Sequence, residues 1–260
     1  MSQNVYGAAY VKCLEKNMFT DTELSELVSQ SVEEIYQHLG EHGYEGKDCF
    51  EMLSCEEKKT AEICVNLCES QEIMALMLAK TDFHNIKTLV KYAVTNRGGN
   101  RLLKAPTNVD YDAALEAFQK DSYDEILKNA KAVFDHSKKY GIEKCDRYAD
   151  ELLKGYIREK SKVSEFVLGW TELFTQMIEK KEGCIKDDTH KKSPSEIFKE
   201  CDDGVTEYLK KAQFSFFSDD AVFAYFSGKN TEIQNLRLIL CGKRYRDSEY
   251  IRERLRKSYV

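Results

Sequence analysis

Apolar residues recur along this chain at spacings of three and four, the period of helices that bury one face. Val32, Ile35, Tyr36 and Leu39 form one such stripe. Ser31-Val32-Glu33-Glu34 opens it as a capping box: the serine oxygen takes a free backbone N–H and Glu34 reaches back. Thr20 with Glu23 starts the preceding short helix in the same way, and Gly40 and Gly43 are stop signals after Leu39. From Glu56 to Val94 the pattern is long and helical, with a break expected near Ser70 where two stripes meet. A new helical set starts at Asp110. Ile126, Leu127, Ala130, Val133 and Phe134 then line a face that stops at Gly141. Ile142 to Lys181 reads as two helices joined near Ser161, and further helices are expected over Ser195–Ala212, Asp219–Cys241 and Asp247–Lys257. Asn96–Asn108, with a Gly pair and Pro106, and Gly183–Ser195 read as loops.

Composition agrees with an all-α chain. Two prolines and 13 glycines serve 260 residues, whereas an all-β chain spends such residues on a turn about every 8 to 12 positions. The length allows one large domain or a few small units. Charged residues make up 32%, with a net charge of −6. The opening segment lacks the basic start and long apolar stretch of a signal peptide, and the longest apolar run, Ile73 to Ala79, is too short to span a bilayer. The expected location is therefore the cytosolic side, where the nine cysteines are expected to be reduced thiols.

An internal repeat stands out. Asp82-Phe83-His84-Asn85-Ile86-Lys87-Thr88-Leu89 aligns with Glu232-Ile233-Gln234-Asn235-Leu236-Arg237-Leu238-Ile239 as acid, apolar, any, Asn, apolar, base, any, apolar. On a helix the acid and Asn share a face, while acid and base, five apart, are not an ideal pair. A fixed polar group beside a buried stripe suits a helix crossing that a repeat reuses. Glu172-Leu173-Phe174-Thr175 is a degraded middle copy with Thr in the Asn position.

These stretches, with Tyr6-Gly7-Ala8-Ala9-Tyr10-Val11-Lys12 near the start and Gly242-Lys243 and Ile251-Arg252-Glu253-Arg254-Leu255-Arg256 near the end, make the chain resemble the C-type subunit of the A/V-type rotary ATPases, known as the d-type subunit in the vacuolar enzyme. The resemblance runs over nearly the whole chain. It implies a three-lobed, pseudo-threefold helical funnel built from helical repeats, with approximate lobes 1–105, 106–190 and 191–260 and a shortened third lobe. It further implies a non-catalytic, cofactor-free coupling component, peripheral to the membrane. Its implied partners are the membrane c-ring and the D and F proteins of the central stalk, with neither nucleic acid nor a small-molecule substrate. The rival reading is a cytosolic helical adaptor unrelated to ATPases.

Other motifs carry less. Gly40–Asp48 is a near miss for a phosphate loop: Glu41 replaces the first Gly, and Asp48 stands where a Ser or Thr holds Mg²⁺. His38/His42 and Cys64/Cys68 each have helical spacing, and together would supply four zinc ligands; helical Cys is more often core filler. His84 lies in a periodic helix without a partner acid and base in sequence reach. Trp170, with Phe166, Leu173 and Phe174, reads as core.

The sharpest electrostatic signal is at the C-terminus. The last 20 residues carry +4 and the first 240 carry −10. Such asymmetry suits a charged partner; the plainer reading is a last helix whose bases complement its macrodipole. Arg252, Arg254 and Arg256 are the expected partner-contact residues, against polar loops of the ring or nearby anionic head groups.

Overall fold

The computed structural model describes residues 4–96, 103–120, 124–186, 193–215 and 217–260, and for 181–186 the backbone only. Among the described residues there are twelve α-helices and no strand. In chain order they are α1 (Val5–Glu15), α2 (Asp21–Leu27), α3 (Val32–Glu41), α4 (Cys49–Leu67), α5 (Gln71–Thr95), α6 (Tyr111–Ala117), α7 (Glu125–Tyr140), α8 (Cys145–Lys160), α9 (Glu165–Lys186), α10 (Pro194–Leu209), α11 (Asp219–Gly242) and α12 (Ser248–Arg254).

Helix starts follow side-chain chemistry. Thr20, Ser31 and Ser193 each close a full capping box with Glu23, Glu34 and Glu196. Asp48, Asp110, Asp124 and Asp247 accept first-turn N–H groups of α4, α6, α7 and α12, which satisfies donors that have no partner inside a helix. The expected break near Ser70 is the Cys68–Ser70 gap between α4 and α5.

Some boundaries differ from expectation. Gly40 continues α3; Gly43, at φ +81°, ends it, because the chain there needs the left-handed conformation that glycine supplies most easily. Gly141, at φ +97°, ends α7 as expected. Gly183 to Lys186 lie inside α9. Residues 187–192 of the expected second loop fall outside the described residues, as do 97–102 of the first. Helix α12 ends at Arg254, and Leu255 turns extended (ψ 132°), so Arg256 and Lys257 are not helical.

The chain forms two compact units, Met1–Ser70 with Val163–Val260, and the inserted Gln71–Lys162. In the inserted unit the long α5 packs on α6, α7 and α8. Phe83, Ile86, Leu89, Ala130, Val133 and Ile157 are buried there, and Phe118 stacks on Phe134 at 4.5 Å. In the larger unit the long α11 packs on α1, α2 and α4. Its core joins Phe19, Leu24, Ile35, Leu39 and Leu53 to Ile233, Leu236, Ile239 and Ile251. Each such side chain stabilises by about 1.5–3 kcal/mol when fully buried.

The two units share a plan in rotated order. In one, a long helix precedes a short helix, an amphipathic helix closed by a positive-φ glycine, and a helix opening on a buried cysteine (α5, then α6, α7, α8). In the other, the matching set α2, α3, α4 comes first and its long helix, α11, comes some 150 residues later in the chain. The N-terminal helices thus complete their core with a helix made near the other end.

Residues 255–260 run extended over α11. Tyr259 is 1% exposed, and its ring lies against Gly228: a Cβ on Gly228 would sit 2.5 Å from the ring's Cγ. Gly228→Ala is expected to destabilise the protein by about 1–2 kcal/mol through overpacking, read as a lower urea midpoint with an unchanged slope.

Candidate functional site

The repeated acid–Asn–base element builds a clamp in each unit. In α5, Asn85 is 1% exposed. Its Nδ2 donates to the Lys104 carbonyl at 2.9 Å, and its Oδ1 accepts the Lys104 N–H at 2.9 Å. In α11, Asn235 does the same with Arg256, its Nδ2 donating to the carbonyl and its Oδ1 accepting the N–H, both at 2.9 Å. A primary amide is a donor and an acceptor side by side. It therefore satisfies both backbone groups of one residue, as a strand neighbour would.

The acids act on a second stretch of chain. Asp82 accepts from the Asn108 N–H at 2.7 Å, the Thr107 hydroxyl at 2.6 Å and the Asn108 amide at 3.0 Å. Burial pushes its carboxyl up, and these bonds pull the other way. Glu232 accepts the Phe19 N–H at 2.6 Å and the Tyr44 hydroxyl at 2.5 Å. In both units the held segment leads straight into a short helix, α6 or α2. The bases reach outward to the last helix of each set: Lys87 pairs with Asp150 on α8, and Arg237 with Glu57 on α4, both at 2.5 Å. All three polar positions of the pattern therefore have matching work in the two units. The degraded copy builds nothing similar: Glu172 is exposed and the Thr175 hydroxyl donates to Thr171 of its own helix.

Two further polar groups carry little sign in the sequence of what they do. Lys229, 1% exposed, pairs with Glu232 at 2.7 Å and Glu56 at 3.5 Å, with its Nζ 4.4 Å from the Tyr44 ring centroid. Burial, then Glu232, pushes the Tyr44 hydroxyl well up. Lys229 sits three residues before Glu232 on the buried side of α11, and that spacing is its one sequence signal. The other is Asp219-Asp220, at the start of α11. Asp219 accepts from the Ser70 N–H at 2.8 Å, the Glu69 N–H at 3.2 Å and Asn4 Nδ2 at 2.5 Å. Asp220 accepts the Ser164 hydroxyl at 2.7 Å. One helix turn thus holds the chain where it leaves the larger unit, after Ser70, and where it returns, at Val163.

The C-terminal cations are largely engaged within the chain. Arg256 pairs with Asp202 at 2.8 Å. Arg254 lies over Tyr250 at 3.5 Å and bonds the Tyr250 carbonyl at 3.2 Å and Ser195 at 3.3 Å. Lys257 pairs with Glu207 at 3.2 Å, and its N–H bonds Asp203 at 2.7 Å. Lys243 donates to the carbonyls of Val28 and Gln30, and burial lowers its ammonium. Arg252 is exposed and touches Ser29 beside Asp21, Ser25 and Glu26. Arg244 and Arg246 lie over Phe50 and Tyr250, with Tyr245 80% exposed between them.

The His and Cys pairs point to separate tasks. His38 contacts Glu41 and Gln30, while His42 stacks on Phe19 at 3.7 Å and bonds the Asn17 carbonyl. Cys64 and Cys68 are buried, and burial pushes the Cys68 thiol up to about 12 and Cys64 higher still, away from the thiolate that binds metal. No cluster of three or more His, Cys, Asp or Glu fit for a metal occurs among the described residues. Gly46 and Lys47 lead into the Asp48 cap of α4. Trp170 is core, stacked on Phe174 and edge-on to Phe223.

The fold and its clamps define an all-helical protein of repeated helix sets. The chain matches the ATP synthase (C/AC39) subunit family over residues 8–165 and 168–254, and it belongs to that family of V/A-type ATPase components. No curated protein matches the chain. No described helix is long and apolar enough to cross a membrane.

Asn235→Ala would strand both backbone groups of Arg256, each costing about 1–3 kcal/mol when buried and unpaired. It is expected to cost more in urea unfolding than Arg252→Ala, which removes one exposed contact and should change stability by under about 0.5 kcal/mol. Lys229→Met leaves buried Glu232 without its cation and Glu56 with Lys59 alone (3.7 Å), and is expected to cost about 3–5 kcal/mol, read by the same unfolding curves.

Proposed function

We propose that the chain is the non-catalytic central-stalk coupling component of a V/A-type rotary ATPase. In this reading it is a three-lobed funnel on the cytosolic face of the membrane, seated on the c-ring and holding the central axle made of the D and F proteins. It couples ATP hydrolysis, or synthesis, to proton or sodium movement. The observation that carries the proposal is the family match over residues 8–165 and 168–254. The clamps support it: a part that passes torque must keep its helices in register, and amide-to-backbone bonds at Asn85 and Asn235 resist sliding in a way apolar packing alone does not.

The partner-contact role of the C-terminal arginines is carried, on this reading, by the exposed Arg252 together with Arg244, Tyr245 and Arg246. Arg254 and Arg256 hold that surface in place through Tyr250, Ser195, Asp202 and Asn235. Reversing Arg254 and Arg256 would therefore damage the fold as well as the contact.

The test expresses the full chain with the rest of its complex. Wild type is expected to co-purify with ATPase catalytic and ring proteins. Arg244→Glu with Arg252→Glu should keep its melting temperature within about 2 °C and lose the ring. Recovery of a full, ion-coupled complex with that variant would remove the contact assignment. Failure of the wild-type chain to travel with any ATPase component would instead favour a free-standing adaptor.

A further inference from the structure

The junction of α7 and α8 carries a positive charge that no ion pair among the described residues neutralises. Lys138, Lys139, Lys144 and Arg147 are all exposed. The acids around them are already taken: Asp135 by Lys131 at 3.8 Å, Asp146 by Lys91 at 2.6 Å and Asp150 by Lys87 at 2.5 Å. Glu143 is the one acid between Lys139 and Lys144. None of the four cations has an ion-pair partner among the described residues.

The three lysines lie instead against aromatic rings. The Nζ of Lys139 and that of Lys144 are 4.9 and 5.9 Å from the centroid of one ring, Tyr140, and Lys138 is 4.3 Å from that of Phe134. Tyr140 is half-exposed and leans on His136 (4.7 Å), which stacks flat on Tyr148 at 4.0 Å. The ring system is a firm platform carrying like charges that repel one another. Lys138 and Lys139 are placed well for the C-terminal dipole of α7. Lys144 and Arg147 are not: they sit at the N-cap and in the first turn of α8, where a cation is disfavoured by about 0.3–1 kcal/mol. Asp146 is the acid of that first turn, but it is paired with Lys91, so Lys144 and Arg147 go unneutralised there, as on a surface kept for another purpose.

We propose that this face, centred on Tyr140 between Lys139 and Lys144, docks an acidic segment of a protein partner, whose carboxylates pair with the lysines while its stem packs on the tyrosine ring. Charge complementarity identifies the occupant. A membrane fits less well, because Val133 and Phe134 beside the patch are buried, leaving no aliphatic wedge to insert, and the chain as a whole is at −6.

The test uses the full chain and a labelled ten-residue glutamate peptide, followed by fluorescence anisotropy. Saturable binding is expected at 50 mM salt, at least tenfold weaker at 300 mM because exposed pairs are screened. Lys139→Glu with Lys144→Glu should weaken it at least tenfold, and Tyr140→Ala several-fold, with melting temperatures unchanged. Lys16→Glu with Lys47→Glu, the same charge change on the other unit, should weaken it less than twofold. Equal loss in the two double variants, no saturable binding, or uptake by vesicles containing phosphatidylserine without peptide binding would each overturn the proposal.

Discussion

The structure depends on a primary amide reading the backbone of a distant residue. A helix satisfies its own backbone, but an extended segment crossing it does not, and burying that segment would strand its N–H and C=O groups. Asn85 and Asn235 resolve this with a donor and an acceptor fixed on a rigid helix. The extended pieces at Lys104 and Arg256 can then run across helices that are apolar on the same face, and the short helices α6 and α2 start where the neighbouring acids hold the chain. Threonine at the corresponding point of α9 has one hydroxyl, which its own helix takes up. It cannot bond both groups of a crossing residue, so no clamp forms there.

Electrostatics follow from the same economy. The last helix and the segment after it are basic, yet most of that charge is absorbed locally, by Asp202, Glu207, the Tyr250 ring and the carbonyls of Val28 and Gln30. The sequence asymmetry is real, but much of it is structural cement between α10, α11 and α12. Charge that remains uncommitted is found at Arg244, Arg246 and Arg252, and around Tyr140. These are different surfaces with a similar composition: bases next to an exposed tyrosine.

What is legible in the sequence is set by short-range physics. The capping boxes at Thr20 and Ser31, the Asp110 start, the break before Gln71 and the Gly141 stop each depend on residues within four positions. Gly40 and Gly183 look like stops and are not, because glycine permits a helix to end without requiring it; position 43 needs a positive φ and position 40 does not. Helix α12 ends earlier than its pattern suggests because the cause, Asn235, lies some 20 residues upstream. The repeat pattern is visible, and so is the shared face of acid and Asn. Their partners are not, since Lys104, Phe19 and Arg256 carry no mark of being held. Lys229 and the Asp219-Asp220 pair are hidden for the same reason: a charge is recognised as internal only when the chain around it is known.

The rotated order of the larger unit has a consequence for how the protein is made. Leu24, Ile35, Leu39 and Leu53 are synthesised well before the faces they pack on, Ile233, Leu236 and Ile239. The inserted unit has all its helices in one continuous stretch and can finish early, since domains fold as units during synthesis. Until α11 has been made, α2, α3 and α4 therefore display an apolar face without the helix that covers it. That interval is where a chaperone, or an assembling neighbour, has the greatest opportunity to act on this chain.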